Sequence, residues 1–130
     1  MTVRAGEPQA GLSGCRVLVV EDEFFIADDL MNALKEAGAE VLGPVPSRDQ
    51  ALNLLSLQER IDIAVLDINL QGEATYAVAD ALTERGIPFV LATGYGRGAL
   101  PSRLEHVPHW EKPFNPQNLI LALPGLARAV

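Results

Sequence analysis

Residues Arg16–Phe25 read RVLVVEDEFF, and this stretch decides the fold. The apolar run Val17–Val20 ends in three consecutive carboxylates, Glu21, Asp22 and Glu23. Two unit charges about 4 Å apart repel by roughly 4 kcal/mol at an effective dielectric constant near 20. A chain that places three like charges at the end of a buried strand therefore needs a compensating positive charge nearby.

The composition indicates one folded domain. The chain has 130 residues, of which 48% are hydrophobic, enough to build a core. A net charge of −7 argues against nucleic acid and anionic membrane surfaces as partners, because both require a basic face. No apolar run is long enough to span a membrane, the N-terminus shows no signal-peptide pattern, and the single Cys15 excludes an intramolecular disulfide. We therefore expect a cytoplasmic protein.

Apolar strands and amphipathic helices alternate five times along the chain. Residues 1–13 are polar and predict a flexible tail, so that the single domain covers residues 14–130. The strands are predicted at Val17–Val20, Glu40–Leu42, Ile61–Leu66, Pro88–Ala92 and Val107–Glu111. The helices are predicted over about 25–37, after the N-cap Ser47, over Ala74–Arg85, near Ser102–Glu105 and after the N-cap Asn115, with Gly43-Pro44 breaking the second strand.

This alternation predicts an α/β fold with a parallel sheet covered by helices on both faces. We expect a doubly wound (βα)5, flavodoxin-like three-layer sandwich whose five-stranded parallel sheet has the order 2-1-3-4-5. Residues 94–106 contain three glycines and Pro101, so the fourth helix should be short or irregular and this segment the most mobile. Strands one and three are neighbours in this order, and their carboxyl ends lie where such folds bind ligands.

Functional side chains stand where four of the predicted strands end. Glu21 and Asp22 follow strand one, Asp67 follows strand three, and Thr93 and Lys112 end strands four and five. Carboxylates, a carbonyl and waters are the ligands that Mg²⁺ prefers. A carboxylate beside such an ion can attack phosphorus and form an aspartyl phosphate, with the lysine and the hydroxyl binding the oxygens of the transferred group.

Each of these residues also has an ordinary structural interpretation. The acidic run can favour the positive N-terminus of the following helix. Asp67 can be a turn residue, Thr93 a strand-end hydroxyl and Lys112 a solvated surface lysine. Each interpretation is individually more common than a functional role, and it is the coincidence of these residues at four strand ends that favours a site.

Four motifs make the chain similar to the receiver domain of two-component response regulators. They are VVEDE, VLDINL, ATGYG and EKPF, and they occur in the family's order and approximate spacing between about Arg16 and Leu123. The resemblance implies a phosphoprotein that binds Mg²⁺ or another divalent cation. It assigns these roles: Asp67 as phosphoacceptor, Asp22 as direct metal ligand, Glu21 as the acid that acts through water, Asn69 as the donor of a backbone carbonyl to the metal, Thr93 as the switch hydroxyl and Lys112 as the family's lysine.

A narrower resemblance rests on residues 88–95, PFVLATGY. This stretch is similar to the PFxFATGY pattern of stand-alone receivers in alphaproteobacterial stress signalling, with Leu91 in place of the expected phenylalanine. The subgroup implies a sensor histidine kinase, often of the HWE kind, or a phosphotransfer protein as partner, and a downstream protein as target. Because only 17 residues follow Pro113, we expect no output domain.

The chain also departs from the wider family. His109 stands three residues before Lys112, at a position that usually carries an aromatic or aliphatic residue that moves on activation, and Trp110 follows it. We therefore take Tyr95, His109 and Trp110 as candidates for the moving contacts. The proline that usually follows the phosphoacceptor loop is also absent.

The function expected from the sequence is a signalling switch. A phosphohistidine donates to Asp67, loop rearrangement is the output, and catalysis is limited to the protein's own phosphorylation and hydrolysis. One alternative is a Mg²⁺-dependent phosphatase of the haloacid dehalogenase type, although Glu21-Asp22-Glu23 replaces its Asp-x-Asp motif. The other alternative is a pseudo-receiver that binds partners and is never phosphorylated.

Overall fold

The computed structural model describes residues 11–57, 60–70, 72–94 and 100–127. In chain order its elements are β1 (Arg16–Val20), α1 (Phe24–Glu36), β2 (Glu40–Val45), α2 (Arg48–Leu57), β3 (Ile63–Asp67), β4 (Asn69–Leu70), β5 (Glu73–Ala74), α3 (Tyr76–Glu84), β6 (Phe89–Thr93), a 3₁₀ turn at Ser102–Leu104, β7 (His109–Glu111), α4 (Pro116–Ala122) and a 3₁₀ turn at Leu123–Gly125.

Five strands form one parallel sheet in the order β2-β1-β3-β6-β7. Counted among these five, the order is 2-1-3-4-5, so the predicted topology is confirmed. The two-residue strands β4 and β5 form a separate antiparallel hairpin. This hairpin was not predicted, and it delays the start of α3 from the expected Ala74 to Tyr76.

The strands are apolar on both faces because helices cover both faces. Alternate strand residues pack against two different pairs of helices, as expected for the period-two geometry of a strand. One cluster joins Leu18, Val20, Ala64, Leu66 and Leu91 to buried residues of α2 and α3. The other joins Val17, Val19, Ile63, Val65 and Val90 to buried residues of α1 and α4. The three-layer sandwich is therefore confirmed.

The second strand runs through the predicted break at Gly43-Pro44 and ends at Val45. The β1–β2 register shifts between Leu18 and Val20, which marks an irregularity at this point. Gly43 has φ 102°, and a Cβ there would lie 2.7 Å from the carbonyl oxygen of Val19. Glycine thus lets the strand continue past the irregularity instead of ending it, and the prediction of a break was wrong.

The predicted helix caps are present. Ser47 Oγ accepts a hydrogen bond from Gln50 N at 3.2 Å, and Asn115 Oδ1 accepts one from Gln117 N at 2.9 Å. Between β6 and β7 the described residues hold a single 3₁₀ turn, so the helix there is short, as expected; residues 95–99 lie outside the description.

The folded region extends into the segment expected to be a tail. Residues 1–10 lie outside the described part, but Leu12 is buried in the α1–α4 cluster and donates its N–H to Ala37 O at 3.1 Å. Packing therefore begins before residue 14. Among the described residues, no helix combines the length and apolar character of a membrane span.

Candidate functional site

A pocket of about 500 Å³ opens at the carboxyl edge of the sheet. Parallel strands all end at this edge, so residues distant in sequence meet there. The pocket is lined by Asp22, Glu23, Asp67, Ile68, Asn69, Gly72, Thr93, Gly94 and Lys112.

Three carboxylates meet at this pocket. One oxygen from each of Glu21, Asp22 and Asp67 lies within 4.8 Å of the other two. Glu21 and Asp67 are only 3% and 4% exposed, whereas Asp22 is half-buried. The structure thus brings together the acids that the strand ends predicted, and two of them are nearly removed from water.

Lys112 supplies part of the positive charge that the acidic run requires. Its Nζ lies 2.8 Å from Asp67 Oδ2 and 3.0 Å from Glu21 Oε2, and 3.6 Å from Glu23 Oε1. The lysine is placed there because it follows β7, which pairs with β6 so that Lys112 N donates to Thr93 O at 2.7 Å. One ammonium is therefore shared between two buried carboxylates.

The protonation of this cluster reflects burial and shared charge. Burial raises the pKa of Glu21, the hydrogen bond from Lys112 opposes this and the Asp67 charge adds to it, and the net result is a pKa of about 7. Burial alone would lower the pKa of Lys112, but the hydrogen bonds to Asp67 and Glu21 and the negative charges of these two residues together outweigh burial, so that the pKa of Lys112 is raised. Lys112 is thus charged at neutral pH, while Glu21 exchanges its proton near neutrality.

The loop after β3 orients the Asp67 side chain. Asn69 N donates to Asp67 Oδ1 at 3.0 Å, and the Asn69 side chain in turn accepts from Gly72 N at 3.0 Å. The hydroxyl of Thr75 donates to the main-chain oxygen of Asp67 at 2.6 Å. No sequence pattern indicated this contact, because Thr75 lies inside the helix predicted over Ala74–Arg85 and its partner is eight residues earlier.

The oxygen ligands suit a hard divalent cation. All three acids present carboxylate oxygens, the ligand type that Mg²⁺ prefers. Among the described residues no donor is directed at Glu21 Oε1, although Lys112 Nζ lies 2.9 Å away. This oxygen is in ionic contact with Lys112 but accepts no directed hydrogen bond, so it can still accept one from water.

Known proteins share this fold. SdrG from Sphingomonas melonis matches with a TM-score of 0.74 and 38% identity, over 84% of this chain and 92% of SdrG. SdrG from Pseudomonas melonis in its BeF3-activated conformation matches with a TM-score of 0.70 and 35% identity, over 88% of this chain and 94% of that chain. A response regulator receiver protein from Sinorhizobium medicae matches with a TM-score of 0.72 and 27% identity, over 85% of this chain and 92% of that chain.

This chain belongs to the response regulator receiver family. PhyR of Methylorubrum extorquens is 30% identical over 118 residues, which are 88% of this chain and 44% of PhyR. No family model matches the sequence. The receiver domain spans about half the length of the curated relatives it matches. SdrG and PhyR are among the matches, so the narrower resemblance to alphaproteobacterial stress regulators is confirmed as well.

Of the candidate switch residues that the structure describes, only Thr93 lines the pocket. Thr93 is 5% exposed. His109 pairs with Leu91 and Trp110 with Ala92 on edge strand β7, and neither is among the residues that line the pocket. Trp110 packs against the apolar cluster that includes α1 and α4. Successive side chains of a strand point to opposite faces of the sheet, so His109 points to the other face.

Tyr95, the third candidate for a moving contact, lies outside the described residues.

Proposed function

We propose that this receiver domain accepts a phosphoryl group on Asp67 from a phosphohistidine, in a reaction that depends on Mg²⁺ or another divalent cation, and signals through the resulting rearrangement. The observation that carries the proposal is the position of Asp67. Its carboxylate is buried at the end of β3, lies 2.8 Å from the Lys112 ammonium, and faces an acidic pocket with room for a phosphoryl group.

The chemistry requires little from the protein beyond positioning. An Asp67 carboxylate oxygen attacks phosphorus and forms the new O–P bond. The P–N bond to the donor imidazole breaks, and the ring nitrogen keeps the electron pair. Lys112 stays protonated and can bind a phosphoryl oxygen, and the Thr93 hydroxyl on the pocket wall is a second donor.

A divalent cation would be held by Glu21, Asp22 and Asp67, together with the Asn69 backbone carbonyl that the family resemblance assigns. When bound, it neutralises charge on the carboxylates and on the phosphoryl oxygens. The half-buried Asp22 faces the pocket, and the resemblance makes it the direct ligand. Glu21 already contacts Lys112, which fits a role through water.

The partner is proposed to be a sensor histidine kinase, of the HWE kind that the narrower resemblance implies, or a phosphotransfer protein. Phe24 and Phe25 begin α1 next to the acidic run and are 73% and 80% exposed. Their rings meet edge to face with centroids 5.4 Å apart. Exposed aromatic residues beside a reactive site favour a protein partner over a small substrate, and the same partner class includes a downstream target.

Phosphorylation by a small phosphodonor tests the proposal. With acetyl phosphate and Mg²⁺, the intact mass of the wild-type protein should increase by one phosphoryl group, and Asp67→Asn should show no increase. The exposed Asp28 gives a matched control, since Asp28→Asn removes one acid outside the pocket and should label like the wild type. Labelling of Asp67→Asn at the wild-type level would overturn the assignment.

A further inference from the structure

Thr75 is a buried polar residue that neither helix capping nor the pocket lining accounts for. It is 0% exposed and directly precedes α3. A threonine at this position usually accepts a hydrogen bond from the first turn of its helix, but Thr75 makes no side-chain cap bond. Its hydroxyl instead donates to the main-chain oxygen of Asp67, eight residues earlier, at 2.6 Å.

The main chain of Thr75 strengthens this connection. Its N–H donates to Ile68 O at 2.9 Å, and its carbonyl accepts from Val78 N at 3.0 Å and Ala79 N at 3.2 Å. Thr75 therefore binds two consecutive carbonyls at the end of β3 and starts the first turn of α3. The side chain and backbone of one residue join the phosphoacceptor strand to its following helix.

This contact closes the base of the β4–β5 hairpin. Within the hairpin Asn69 pairs with Ala74, and Asn69 N donates to Asp67 Oδ1 at 3.0 Å. The peptide groups between Asp67 and Asn69 determine where the Asn69 backbone lies, and the Asn69 N–H in turn orients the Asp67 carboxylate. Without the Thr75 hydroxyl, the buried Asp67 carbonyl would lose a donor and the peptide could rotate to find another.

We propose that Thr75 is a positioning residue for the phosphoacceptor, a role that rests on the proposed function. Its hydroxyl, acting through the Asp67 carbonyl, holds the Asp67 carboxylate and the Asn69 backbone in the arrangement that binds the cation and accepts the phosphoryl group. Groups one step removed from a metal ligand commonly change affinity or activity by 10–100-fold when lost.

The test compares Thr75→Val with Thr83→Val. Valine keeps the shape of threonine and removes the donor. Thr83 is the matched control, because its hydroxyl also donates to a backbone carbonyl, that of Ala79 at 2.9 Å, but within α3. We expect Thr75→Val to raise the Kd for Mg²⁺ by about tenfold or more and to slow labelling by acetyl phosphate at saturating Mg²⁺ by about tenfold, whereas Thr83→Val leaves both unchanged.

A measurement on the metal-free protein separates positioning from the reaction itself. The Asn69 amide, which donates to Asp67 Oδ1, should exchange with solvent faster in Thr75→Val than in the wild type or in Thr83→Val. If Thr75→Val does not fold, Thr75→Ser and Thr75→Ala decide the question. Both variants lack the γ-methyl group of threonine, and only Thr75→Ser keeps the hydroxyl donor. The Mg²⁺ affinity of Thr75→Ser should therefore approach that of the wild type, and that of Thr75→Ala should not.

Two results would overturn the proposal in distinguishable ways. In the first, acetyl phosphate labels the wild type, and Thr75→Val or Thr75→Ala matches the wild type in Mg²⁺ affinity and in exchange of the Asn69 amide. This result would exclude the positioning role and leave the proposed function intact. A wild type that binds no Mg²⁺ and is not labelled would remove the proposed function, and the role of Thr75 with it.

Discussion

At the scale of single residues, Lys112 decides the electrostatics of the site. It contacts Glu21 across 91 positions in sequence and Asp67 across 45. Their meeting was predictable, because strands of a parallel sheet end at one edge. Which acid is buried and which faces the pocket could not be predicted, because burial depends on packing that a strand pattern does not specify. Glu21 is buried against the lysine, and Asp22 faces the pocket.

We predict that Asp22 contributes more to Mg²⁺ binding than Glu21. Asp22→Asn should raise the Kd for Mg²⁺ by about tenfold or more, and Glu21→Gln only by a smaller factor. The physical reason is that Glu21 already shares the Lys112 ammonium and, with a pKa of about 7, is partly protonated near neutrality. Calorimetric titration of both variants measures the ranking, and the reverse order would show that Glu21 is the direct ligand.

The raised pKa of Glu21 predicts a pH-dependent stability in the metal-free protein. The pKa rises from its ordinary value of 4.5 to about 7, so the folded state binds more protons than the unfolded state between these values. The free energy of unfolding contributed by Glu21 therefore falls as pH rises through this window, by about 1.4 kcal/mol per pKa unit at most.

Glu21→Gln removes this titration. Its stability relative to the wild type should increase between about pH 5 and about pH 7.5, because only the wild type loses stability there. Urea unfolding in the presence of a chelator measures the difference, with Glu36→Gln, an exposed glutamate of α1, as the matched control. Parallel pH curves for the wild type and Glu21→Gln would show that the Glu21 carboxyl is not destabilised when ionised.

At the scale of elements, the predictions succeeded where periodicity was long and failed where one residue decided the geometry. The five strands and the caps at Ser47 and Asn115 follow from apolar runs and capping chemistry. The continuation of β2 depends on the close approach of Gly43 to Val19, and the β4–β5 hairpin is closed by Thr75. These contacts join separate segments, so neither appears as a local pattern.

The 3₁₀ turn before β7 is predicted to respond to phosphorylation. It is fastened by Leu104 N donating to Pro101 O at 2.9 Å, Val107 N donating to Leu104 O at 3.1 Å, and an exposed Arg103–Asp80 ion pair at 3.0 Å. Exposed pairs contribute only about 0–1 kcal/mol, so this ion pair adds little to the stabilisation from the burial of Leu104 and Val107. Beryllofluoride should change exchange of the Leu104 and Val107 amides in the wild type. Asp67→Asn should show no change, and an unaltered wild type with bound beryllofluoride would contradict the switch.

The start of α1 is predicted to bind the partner protein and to have no role in the phosphorylation reaction itself. Replacing both Phe24 and Phe25 by serine should lower the rate of phosphotransfer from the cognate kinase and leave labelling by acetyl phosphate unchanged. Both rings are exposed, so each substitution should alter stability by no more than about 0.5 kcal/mol. The exposed Leu121 on α4 provides a matched control, Leu121→Ser. Equal rates for the double variant and the control would exclude this surface from docking.

At the scale of the whole molecule, one sheet with helices on both faces leaves its carboxyl edge free for the site. The two apolar clusters account for the stability of the framework, and the buried acids lie beyond them, held by Lys112. The net charge of −7 adds a general repulsion that any cation reduces. Because three acids are concentrated at one site, Mg²⁺ should stabilise the fold by more than this general reduction of repulsion.

The last prediction is that Mg²⁺ stabilises the fold through this site. A ligand that binds only the folded state adds about 2.7 kcal/mol at a concentration of 100 Kd. For a domain of this size, each kcal/mol corresponds to about 3–5 °C, so the melting temperature should rise by roughly 10 °C. NaCl at equal ionic strength measures general screening and should give a much smaller rise.

Two carboxylate variants locate the effect. Asp22→Asn should lose most of the gain from Mg²⁺, since it removes an acid of the three-carboxylate group. Asp28→Asn reduces the net charge equally, but Asp28 is exposed on α1 and does not belong to that group, so its gain should equal that of the wild type. Equal gains in all three proteins would mean that Mg²⁺ acts on the overall charge, and the acidic edge would then have no formed cation site.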